Sequence, residues 1–568
     1  MIPIIMGSVK TLDIDNWRKK HAYSEEQLSL AKIVLEEVKT GRRLDRALRS
    51  HPGADGGMLA KHILIAAYKL LVESGEWQED EEVLKRIRMK PVRTLSGVTT
   101  VTVLTKEYPC PGRCIFCPTE NYMPKSYLAD EPGAARAFQN KFDPFNQVNS
   151  RILEYEAVGH PTDKIELLIL GGTWSSYRRD YQKWFVQRCF DAMNVPSQGE
   201  AAIAGEPEPV GTPTPAEKID LSPLRSRHIA NESAAHRNVG LVIETRPDEI
   251  TPEELVWLRK LGVTKVQMGA QSLDDRVLEL NLRGHDSAQT LKATALLRAA
   301  GFKIVLHWMP NLLGATLDSD RADFKRLWND GFAPDEIKIY PTQLLESAEL
   351  YKVWQRGEYT PYTTEELIQL IADLKESIPQ YCRVNRVIRD IPSIHVVEGN
   401  KRTSLRQDVM LELHKRGKTC RCVRCREVRT SKVDVTSLRL DDLVYNPAYA
   451  EEHFISYVTP EDQIAGYLRL SLPDANAPKL PMADLDNAAL VREVHVYGQS
   501  LAVGQEQAGA AQHIGLGTAL LKKASEIARS KGYSKLAVIA AIGTRKYYES
   551  RGFERGELYL VKDLTREL

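Results

Sequence analysis

The chain has 568 residues, 43% of them hydrophobic, and a net charge of +1. This length predicts at least two domains, and the near-neutral charge gives no sign of a uniformly basic nucleic-acid-binding protein, although local basic surfaces remain compatible with it. No uncharged apolar run reaches the ~20 residues that span a bilayer, and the N-terminus lacks the pattern of a signal peptide. We therefore expect a soluble, cytoplasmic protein without a membrane partner.

Residues 1–88 are predicted to form a helical, basic region. Apolar residues such as Leu28, Val34 and Val38 recur there at helical spacing among many charges. The basic residues are Arg42, Arg43, Arg46, Arg49, Lys85, Arg86 and Arg88. One such cluster alone indicates a solvated helical face, so a tRNA-binding role needs support from a second cluster.

Residues 89–400 alternate short β-branched runs with helical stretches. The runs cover 98–104, 165–170, 239–244, 263–268, 303–309 and 336–340. Such alternation predicts an α/β fold, a partial (β/α)6 barrel whose active-site residues follow the C-terminal ends of the strands. The stretch 196–218, rich in Pro, Gly, Ala and Glu, is predicted to be a flexible surface insertion.

Six of the eight cysteines fall into two tight groups, which favours metal sites in a reducing compartment over disulfides. Cys110, Cys114 and Cys117 form a C-x3-C-x2-C run directly after the first barrel strand. Three thiolates can bind three irons of a [4Fe-4S] cluster and leave the fourth iron open for S-adenosylmethionine (SAM). Zinc is the alternative, but no fourth ligand is adjacent in sequence.

The second group lies in a basic linker, residues 401–435. Cys420, Cys422 and Cys425 can form a structural zinc site with His414, six residues ahead of Cys420. Cys382 is the alternative fourth ligand, and we prefer His414 because a local ligand costs less ordering entropy. The basic residues around this group are Lys415, Arg416, Lys418, Arg421, Arg424, Arg426, Arg429 and Lys432. Together with the N-terminal cluster, they predict contact with RNA.

Residues 436–568 are predicted to form a smaller α/β domain. A glycine-containing turn, which follows Gln512, opens a helix whose freed backbone N–H groups can cradle a pyrophosphate; it consists of Gly515, Leu516, Gly517 and Thr518. A strand precedes this turn, and a second strand and the Tyr547-Tyr548 pair follow it. This order resembles the GNAT acetyltransferase fold.

The GNAT resemblance implies an acetyl-coenzyme-A (acetyl-CoA) site. Pantetheine and thioester would be lined by Glu493, Val494, His495 and Val496. The glycine-containing turn would bind the pyrophosphate, and Tyr547 would lie near the thioester sulfur. The structural alternative is that Tyr547 is a packing aromatic.

The first cysteine run and the later Gly171-Gly172-Thr173 resemble the radical SAM superfamily, in which the glycine motif holds the SAM amino group. Further segments resemble the catalytic subunit of the Elongator complex in its single-chain prokaryotic form: KPVRTLSG (90–97), DKIELLILGGT (163–173), IETRPD (243–248), GAQS (269–272), RGH (283–285) and KIYP (338–341). The resemblance implies that Glu244 and Gln271 hold SAM and that Lys164 faces acetyl-CoA. Strand-end caps and a solvated lysine are the structural alternatives.

The resemblance also implies an activity. A 5'-deoxyadenosyl radical would abstract a hydrogen from the acetyl-CoA methyl group, and the resulting carbon would bond to C5 of the wobble uridine of tRNA. Thioester hydrolysis would then leave 5-carboxymethyluridine, with Lys164, Glu493 and Tyr547 as catalytic residues, and an electron donor would reduce the cluster. The sequence leaves open whether two chains form a homodimer.

Two other functions stay open at this point. One is a lysine or tRNA-base N-acetyltransferase with an accessory radical SAM domain, in which Glu493 or Tyr547 would be the general base. The other is a non-catalytic RNA-binding scaffold, which fits poorly because three cysteines leave an iron without a protein ligand.

Overall fold

The computed structural model describes residues 23–53, 56–94, 96–195, 205–429, 433–497 and 515–566. Four parts of the sequence predictions lie outside the described residues: residues 1–22, the first half of the 196–218 insertion, Lys432, and the segment that contains Gln512. Among the described residues, no helix combines the length and apolar character needed to cross a membrane.

The helices of the described residues are α1 Glu25–Lys39, α2 Leu44–Ser50, α3 Lys61–Glu73, α4 Glu81–Ile87, α5 Pro132–Gln139, α6 Pro144–Ala157, α7 Arg179–Asn194, α8 Ser222–Asn231, α9 Pro252–Leu261, α10 Asp275–Leu280, α11 Ser287–Ala299, α12 Leu317–Asn329, α13 Leu350–Gln355, α14 Thr364–Glu376, α15 Leu405–Lys415, α16 Val423–Arg426, α17 Leu516–Ser530 and α18 Arg545–Glu549.

The strands of the described residues are β1 Thr99–Leu104, β2 Lys164–Leu170, β3 Arg237–Thr245, β4 Lys265–Gln271, β5 Lys303–Trp308, β6 Glu336–Ile339, β7 Arg383–Arg386, β8 Arg439–Tyr445, β9 Ala450–Val458, β10 Ile464–Pro473, β11 Ala488–Val496, β12 Lys535–Val538, β13 Glu554–Arg555 and β14 Leu560–Asp563.

Helices α1 to α4 form a small unit with its own apolar core. Helix α1 begins at a capping box, in which the Ser24 hydroxyl and the Gln27 side chain each accept a backbone N–H of the other residue. Arg88 donates a 2.6 Å hydrogen bond to the carbonyl of Gly159, just after α6. The helical region is therefore packed against the barrel domain.

Strands β1 to β7 pair in sequence order, and every pair is parallel. All six predicted strands are present. The prediction of six strands needs one correction, because β7 extends the sheet beyond β6. Its sequence, Arg383-Val-Asn-Arg386, is short and mostly polar, so it gives no apolar signal. The sheet is an open half-barrel with β1 and β7 at its edges.

Alternation along the strands separates the helix-covered face from the barrel interior. On β2, Ile165, Leu167 and Ile169 are buried in the main apolar core, whereas Glu166 and Leu168 line the interior. Because side chains alternate across a strand, every second barrel position faces a common interior space.

The acyl domain, residues 436–566 of the described chain, has strand order β13-β14-β12-β11-β10-β9-β8. Strands β11 and β12 are parallel neighbours only from Ala488 to Val491 on β11. Beyond Val491 they diverge, and an irregularity in the pairing with β10 leaves Arg492 outside the ladder. A cleft therefore opens beside the second half of β11.

The acyl domain covers the end of the barrel at which the strands begin. Arg492 donates a 2.9 Å hydrogen bond to the carbonyl of Phe302, which precedes β5, and also binds Asp335, which precedes β6. Arg469 donates a 2.7 Å hydrogen bond to the carbonyl of Tyr381, which precedes β7. The C-terminal ends of the barrel strands thus lie on the side opposite the acyl domain.

The described half of the 196–218 insertion is held against α7. Trp184 Nε1 donates a 2.8 Å hydrogen bond to the carbonyl of Glu206, and the backbone N–H of Thr214 donates one of 3.0 Å to Asp180. Residues 205–218 are therefore anchored by side chains of the barrel domain.

Candidate active site

A single cavity of about 1200 Å³ passes through the barrel interior. Near the C-terminal strand ends it is lined by Cys117, Gln271 and Tyr340, and at the acyl domain by Glu493 and His495. The site predicted for SAM and the site predicted for acetyl-CoA therefore open into the same space.

The first cysteine group follows β1 at the C-terminal end of the barrel. Thr173 Oγ1 lies 3.5 Å from Cys110 Sγ, and Arg283 Nη1 lies 3.3 Å from Cys114 Sγ. The three sulfurs do not all lie within 4.8 Å of one another, whereas thiolates on one tetrahedral zinc ion would be about 3.8 Å apart. The wider spacing fits a cluster in which each thiolate binds a different iron.

The position of Gly171 leaves no room for a side chain. Its φ is +126°, and a Cβ there would lie 2.0 Å from Thr105 Oγ1 at the end of β1. Gly172 also has a positive φ, and Thr173 is buried beside Cys110. The glycine motif therefore lies directly against the cysteine segment, where its backbone can contact SAM.

Glu244 and Gln271 lie at the ends of β3 and β4 and line the cavity. Glu244 accepts a 3.3 Å hydrogen bond from the hydroxyl of Tyr127. Gln271 has a φ of +70°, and its buried Oε1 has no hydrogen-bond partner. A strained backbone and an unsatisfied amide oxygen at a strand end are typical of a ligand site, so Gln271 fits contact with SAM, and Glu244 lines the same cavity beside it.

Sequence reasoning assigned no role to Arg246 and Arg283, although both lie in the IETRPD and RGH segments. Arg246 Nη2 donates a 2.8 Å hydrogen bond to the carbonyl of Arg283, and its guanidinium approaches Gly112 in the cysteine segment. Buried Nη1 of Arg246 has no hydrogen-bond partner. Two guanidinium groups beside the cysteines favour thiolates and can bind a carboxylate.

A chain of ion pairs crosses the barrel interior between the two ends of the cavity. Lys265 Nζ lies 2.6 Å from Glu166 and 3.5 Å from Glu336. Lys303 Nζ lies 2.5 Å from Glu336 and also pairs with Glu493 of the acyl domain. These ion pairs have a signal in the sequence, because several barrel strands carry a charged residue at a position that faces the interior. The sequence predictions above did not include it.

A second polar layer lies nearer the C-terminal strand ends. His307 and Gln267 form a 3.0 Å hydrogen bond, and Lys338 also donates to Gln267. Burial and the charge of Lys338 lower the pKa of His307 well below its usual range. The imidazole is therefore neutral and faces the cavity.

Both carboxylate oxygens of Glu493 are occupied by hydrogen-bond donors. Its carboxylate accepts hydrogen bonds of 2.8 Å from Tyr467 and 2.9 Å from Arg469, in addition to the ion pair with Lys303. Burial alone would raise the pKa of Glu493, but Lys303 and Arg469 outweigh burial and hold that pKa far below its usual range. Because donors already occupy both of its oxygens, this carboxylate anchors the domain interface and has no free position from which to act as a general base.

The other predicted thioester residues follow Glu493 on β11, beside the cleft. Val494 and His495 line the cavity, and Val496 continues the strand. The ring centroid of His495 lies 4.4 Å from that of Tyr497. The Nε2 atom of His495 is buried without a hydrogen-bond partner.

The glycine-containing turn begins α17. Gly515 has a φ of +76° and precedes the helix, and Leu516 is buried. A Cβ on Gly517 would lie 2.3 Å from the Tyr547 hydroxyl. Tyr547 therefore reaches the helix N-terminus, where freed N–H groups fit a pyrophosphate.

Arg551 adds a cation to this end of α17. It donates a 3.0 Å hydrogen bond to Thr518 Oγ1, and its guanidinium lies 3.7 Å from the ring centroid of Tyr547. A cation beside a helix N-terminus favours an anionic ligand, and sequence reasoning had not selected Arg551.

Lys164 begins β2 at the barrel end that the acyl domain covers. Burial lowers its pKa, and Asp163 opposes this effect. Lys164 is not among the described residues that line the cavity. The structure thus places it at the acyl end of the barrel without bringing it to Glu493.

The second cysteine group is compact. The sulfurs of Cys420, Cys422 and Cys425 all lie within 4.8 Å of one another, which fits a single metal ion. His414 does not belong to this group among the described residues and is exposed. Neither candidate for the fourth ligand, His414 or Cys382, has its ligand atom in this group, and His414 in addition faces solvent.

The geometry of α15 explains why His414 faces away. The helix buries Leu405, Val409 and Leu413 at four-residue spacing, and His414 follows about 100° away from this stripe. Cys382, by contrast, is fully buried, and its carbonyl accepts a 3.0 Å hydrogen bond from the N–H of Val423.

Two further contacts define the surroundings of this group. Hydrogen bonds from Cys420 and Cys425 lower the pKa of Cys422, and the charge of the buried Lys375 adds to this effect. Arg421 lies 2.7 Å from Asp462 in the acyl domain. The cysteine group therefore lies where the two domains join.

Three family models match the chain. The Radical SAM superfamily matches residues 109–327, the Radical_SAM C-terminal domain residues 334–415, and the Acetyltransferase (GNAT) family residues 426–553. These matches confirm the predicted fold class, a radical SAM barrel followed by a GNAT domain.

Relatives match the chain over most of its length. The "tRNA uridine(34) acetyltransferase" of Methanocaldococcus jannaschii is 37% identical over 550 residues, which cover 94% of this chain and 96% of the relative. "Elongator complex protein 3" of Homo sapiens is 30% identical over 554 residues, 94% of this chain and 96% of the relative.

A solved structure is also similar. The archaeal Methanocaldococcus infernus Elp3 with an N-terminal deletion has a TM-score of 0.68 and 35% identity, and the match covers 82% of this chain and 99% of that chain. The matched domains, their order and the near-complete coverage show that the chain belongs to the enzyme family of the tRNA uridine(34) acetyltransferases and Elongator complex protein 3.

Proposed function

We propose that this protein is a tRNA-modifying enzyme that forms 5-carboxymethyluridine at the wobble uridine, position 34, from acetyl-CoA and SAM. The observation that carries the proposal is the single cavity, which joins the cysteine end of the barrel to the acyl domain. A radical enzyme with a separate transferase activity would have no need of a shared cavity.

The cofactors supply the chemistry, and the chain supplies binding and orientation. A [4Fe-4S] cluster bound by Cys110, Cys114 and Cys117 would, with an electron donor, convert SAM into a radical that removes a hydrogen from the acetyl methyl group. The net reaction balances when uridine, acetyl-CoA, SAM and water give 5-carboxymethyluridine, CoA, methionine, 5'-deoxyadenosine and two protons.

Basic residues flank the open side of the half-barrel. Near β1 these are Arg93, Arg136 and Arg151, and near β7 they are Arg386, Arg389, Arg406, Arg424 and Arg429; all line the cavity. Guanidinium groups on both edges can bind phosphates while one unstacked base enters the cavity. This arrangement supports tRNA as the substrate, and a tRNA substrate supports a cytoplasmic location.

The N-acetyltransferase alternative needs a general base at the acyl site. The carboxylate oxygens of Glu493 are occupied by Tyr467, Arg469 and Lys303, and burial raises the pKa of Tyr547. Neither group is suited to remove a proton from an amine, so we do not favour this function.

We further propose a structural zinc ion on Cys420, Cys422 and Cys425, with Cys382 as the fourth ligand. Four thiolates would be partly neutralised by Lys375, which is buried and whose charge acts on Cys420 and Cys422. The ion would link the barrel to the acyl domain.

The function can be tested with acetyl-CoA labelled at the methyl carbon. Anaerobically reduced enzyme is incubated with SAM and unmodified tRNA, and the tRNA is digested. We expect the label in a carboxymethyl group bonded to carbon of uridine, and we expect Cys114→Ser to abolish both this product and 5'-deoxyadenosine. Label only in an acetamide would overturn the proposal.

A further inference from the structure

His495 differs from its polar neighbours at the acyl end of the cavity. Its Nε2 is buried and has no hydrogen-bond partner. The ring packs against those of Tyr467 and Tyr497, with centroid distances of 5.8 and 4.4 Å. Because a buried imidazole nitrogen without a partner is costly, a bound group is expected to complete this site.

The other proton acceptors in this part of the cavity are occupied. Glu493 accepts from Tyr467 and Arg469. Glu336 accepts from Asn385 at 2.5 Å and pairs with two lysines. The Tyr497 hydroxyl accepts a 3.0 Å hydrogen bond from Arg383. Among the described residues at this end, His495 keeps a nitrogen available.

Charged groups from both domains surround this imidazole. Burial, with the charges of Lys303 and Arg383, lowers the pKa of His495 to about 4, although Glu493 and Glu166 oppose this shift. The ring is therefore neutral at physiological pH and carries a lone pair. The Glu493 carboxylate, two residues away on the same face of β11, stabilises the imidazolium that forms when this lone pair takes a proton.

We propose that His495 is the general base that hydrolyses the thioester after the acetyl carbon has bonded to uridine. This inference rests on the function proposed above. A water oxygen bonds to the thioester carbonyl carbon while Nε2 takes a proton from that water. The carbon–sulfur bond then breaks, and the CoA sulfur leaves with the proton that Nε2 returns. The carboxymethyl group stays on uridine, and the step needs neither an oxidant nor a reductant.

The test compares His495→Gln with the wild-type enzyme and with His228→Gln. His228 is a matched control because it is also a buried histidine whose Nε2 has no hydrogen-bond partner, but it does not line the cavity. Each enzyme is reduced, mixed with SAM, acetyl-CoA and unmodified tRNA, and quenched within one turnover. Intact-mass analysis then separates tRNA that carries CoA through a thioester from tRNA that carries a carboxymethyl group.

We expect His495→Gln to accumulate the CoA-linked tRNA, which hydroxylamine cleaves, and to form 5-carboxymethyluridine about 100-fold more slowly. Its yield of 5'-deoxyadenosine should match that of the wild type, and His228→Gln should form the final product normally.

Three results would overturn the inference, each for a different reason. Hydrolysis at the wild-type rate in His495→Gln would show that another group activates the water. Loss of both 5'-deoxyadenosine and CoA-linked tRNA would assign His495 to acetyl-CoA binding. A wild-type enzyme that forms no carbon-linked product would overturn the proposed function itself, and this inference with it.

Discussion

The guanidinium of Arg492 donates hydrogen bonds of 2.6 and 2.7 Å to the two carboxylate oxygens of Asp335. Both side chains are fully buried. Arg492 belongs to β11 and Asp335 precedes β6, so this ion pair lies in the interface between acyl domain and barrel. The adjacent Arg469 also lies 3.5 Å from Asp335.

Asp335→Asn should strongly destabilise the protein. It removes the buried carboxylate that Arg492 and Arg469 share and leaves them only Glu452 and Glu493 as anionic partners among the described residues, so we expect the free energy of unfolding to fall by about 3–5 kcal/mol. Urea unfolding followed by circular dichroism measures this loss. Asp318→Asn, at an exposed ion pair with Arg321, is the matched control. Equal effects of the two substitutions would contradict the prediction.

Gly171→Ala should prevent cleavage of SAM. The new Cβ would lie 2.0 Å from Thr105 Oγ1, so the glycine motif must move away from the cysteine segment. We expect 5'-deoxyadenosine formation to fall about 100-fold, as it does when reacting groups are misplaced by an ångström. Gly357→Ala introduces a side chain at another glycine of positive φ, +75°, with nothing within 4 Å, and should retain activity.

Gly517→Ala should weaken acetyl-CoA binding. The added methyl group would lie 2.3 Å from the Tyr547 hydroxyl at the start of α17. Overpacking of this kind costs roughly 1–3 kcal/mol, which raises the Kd for acetyl-CoA at least about 5-fold, measured by calorimetry. Adding Tyr547→Phe removes the contacting oxygen and should recover binding. A double variant no better than Gly517→Ala would show that another contact is responsible.

His453 should make stability depend on pH. Burial lowers its pKa, but hydrogen bonds from the ring to Asp442 and Glu451 outweigh burial and raise the pKa above 6.5. A raised folded-state pKa contributes stability that is present below about pH 6.5 and lost as pH rises through the folded pKa. The Tm of the wild type should therefore decrease over that range relative to the Tm of His453→Gln. Parallel curves for the two proteins would contradict this.

Zinc content should distinguish the two candidates for the fourth ligand. We expect purified His414→Ala to retain zinc, because His414 is exposed and outside the cysteine group. Cys382→Ser should lose zinc, as should Cys422→Ser. The zinc content of the three proteins is measured by elemental analysis. Loss of zinc from His414→Ala but not from Cys382→Ser would identify His414 as the fourth ligand.

The sequence predicted the strands and the cofactor turns because their signals are local. Apolar runs marked β1 to β6, and glycines marked the two sites where backbone must approach a ligand. Strand β7 was missed because Arg383-Val-Asn-Arg386 has one apolar residue, and only its pairing with β6 makes it a strand.

Contacts between distant segments could not be predicted in this way. His414 is near Cys420 along the chain, but the helical period directs it to solvent, while the fold brings the backbone of Cys382 to Val423, inside the cysteine segment. Likewise, Lys303 and Glu493 are 190 residues apart in sequence, and nothing local to either indicates that they meet. The interior ion pairs can be recognised only in the folded structure, in which the acyl domain covers the barrel.

The position of the acyl domain has a kinetic consequence. In the function proposed above, acetyl-CoA would enter the cavity at the end where the barrel strands begin, whereas SAM would bind beside the cysteines at the opposite end. Each cosubstrate would then have its own approach, and neither would block the other. CoA should compete with acetyl-CoA alone, and spent CoA can be exchanged while methionine and 5'-deoxyadenosine are still bound.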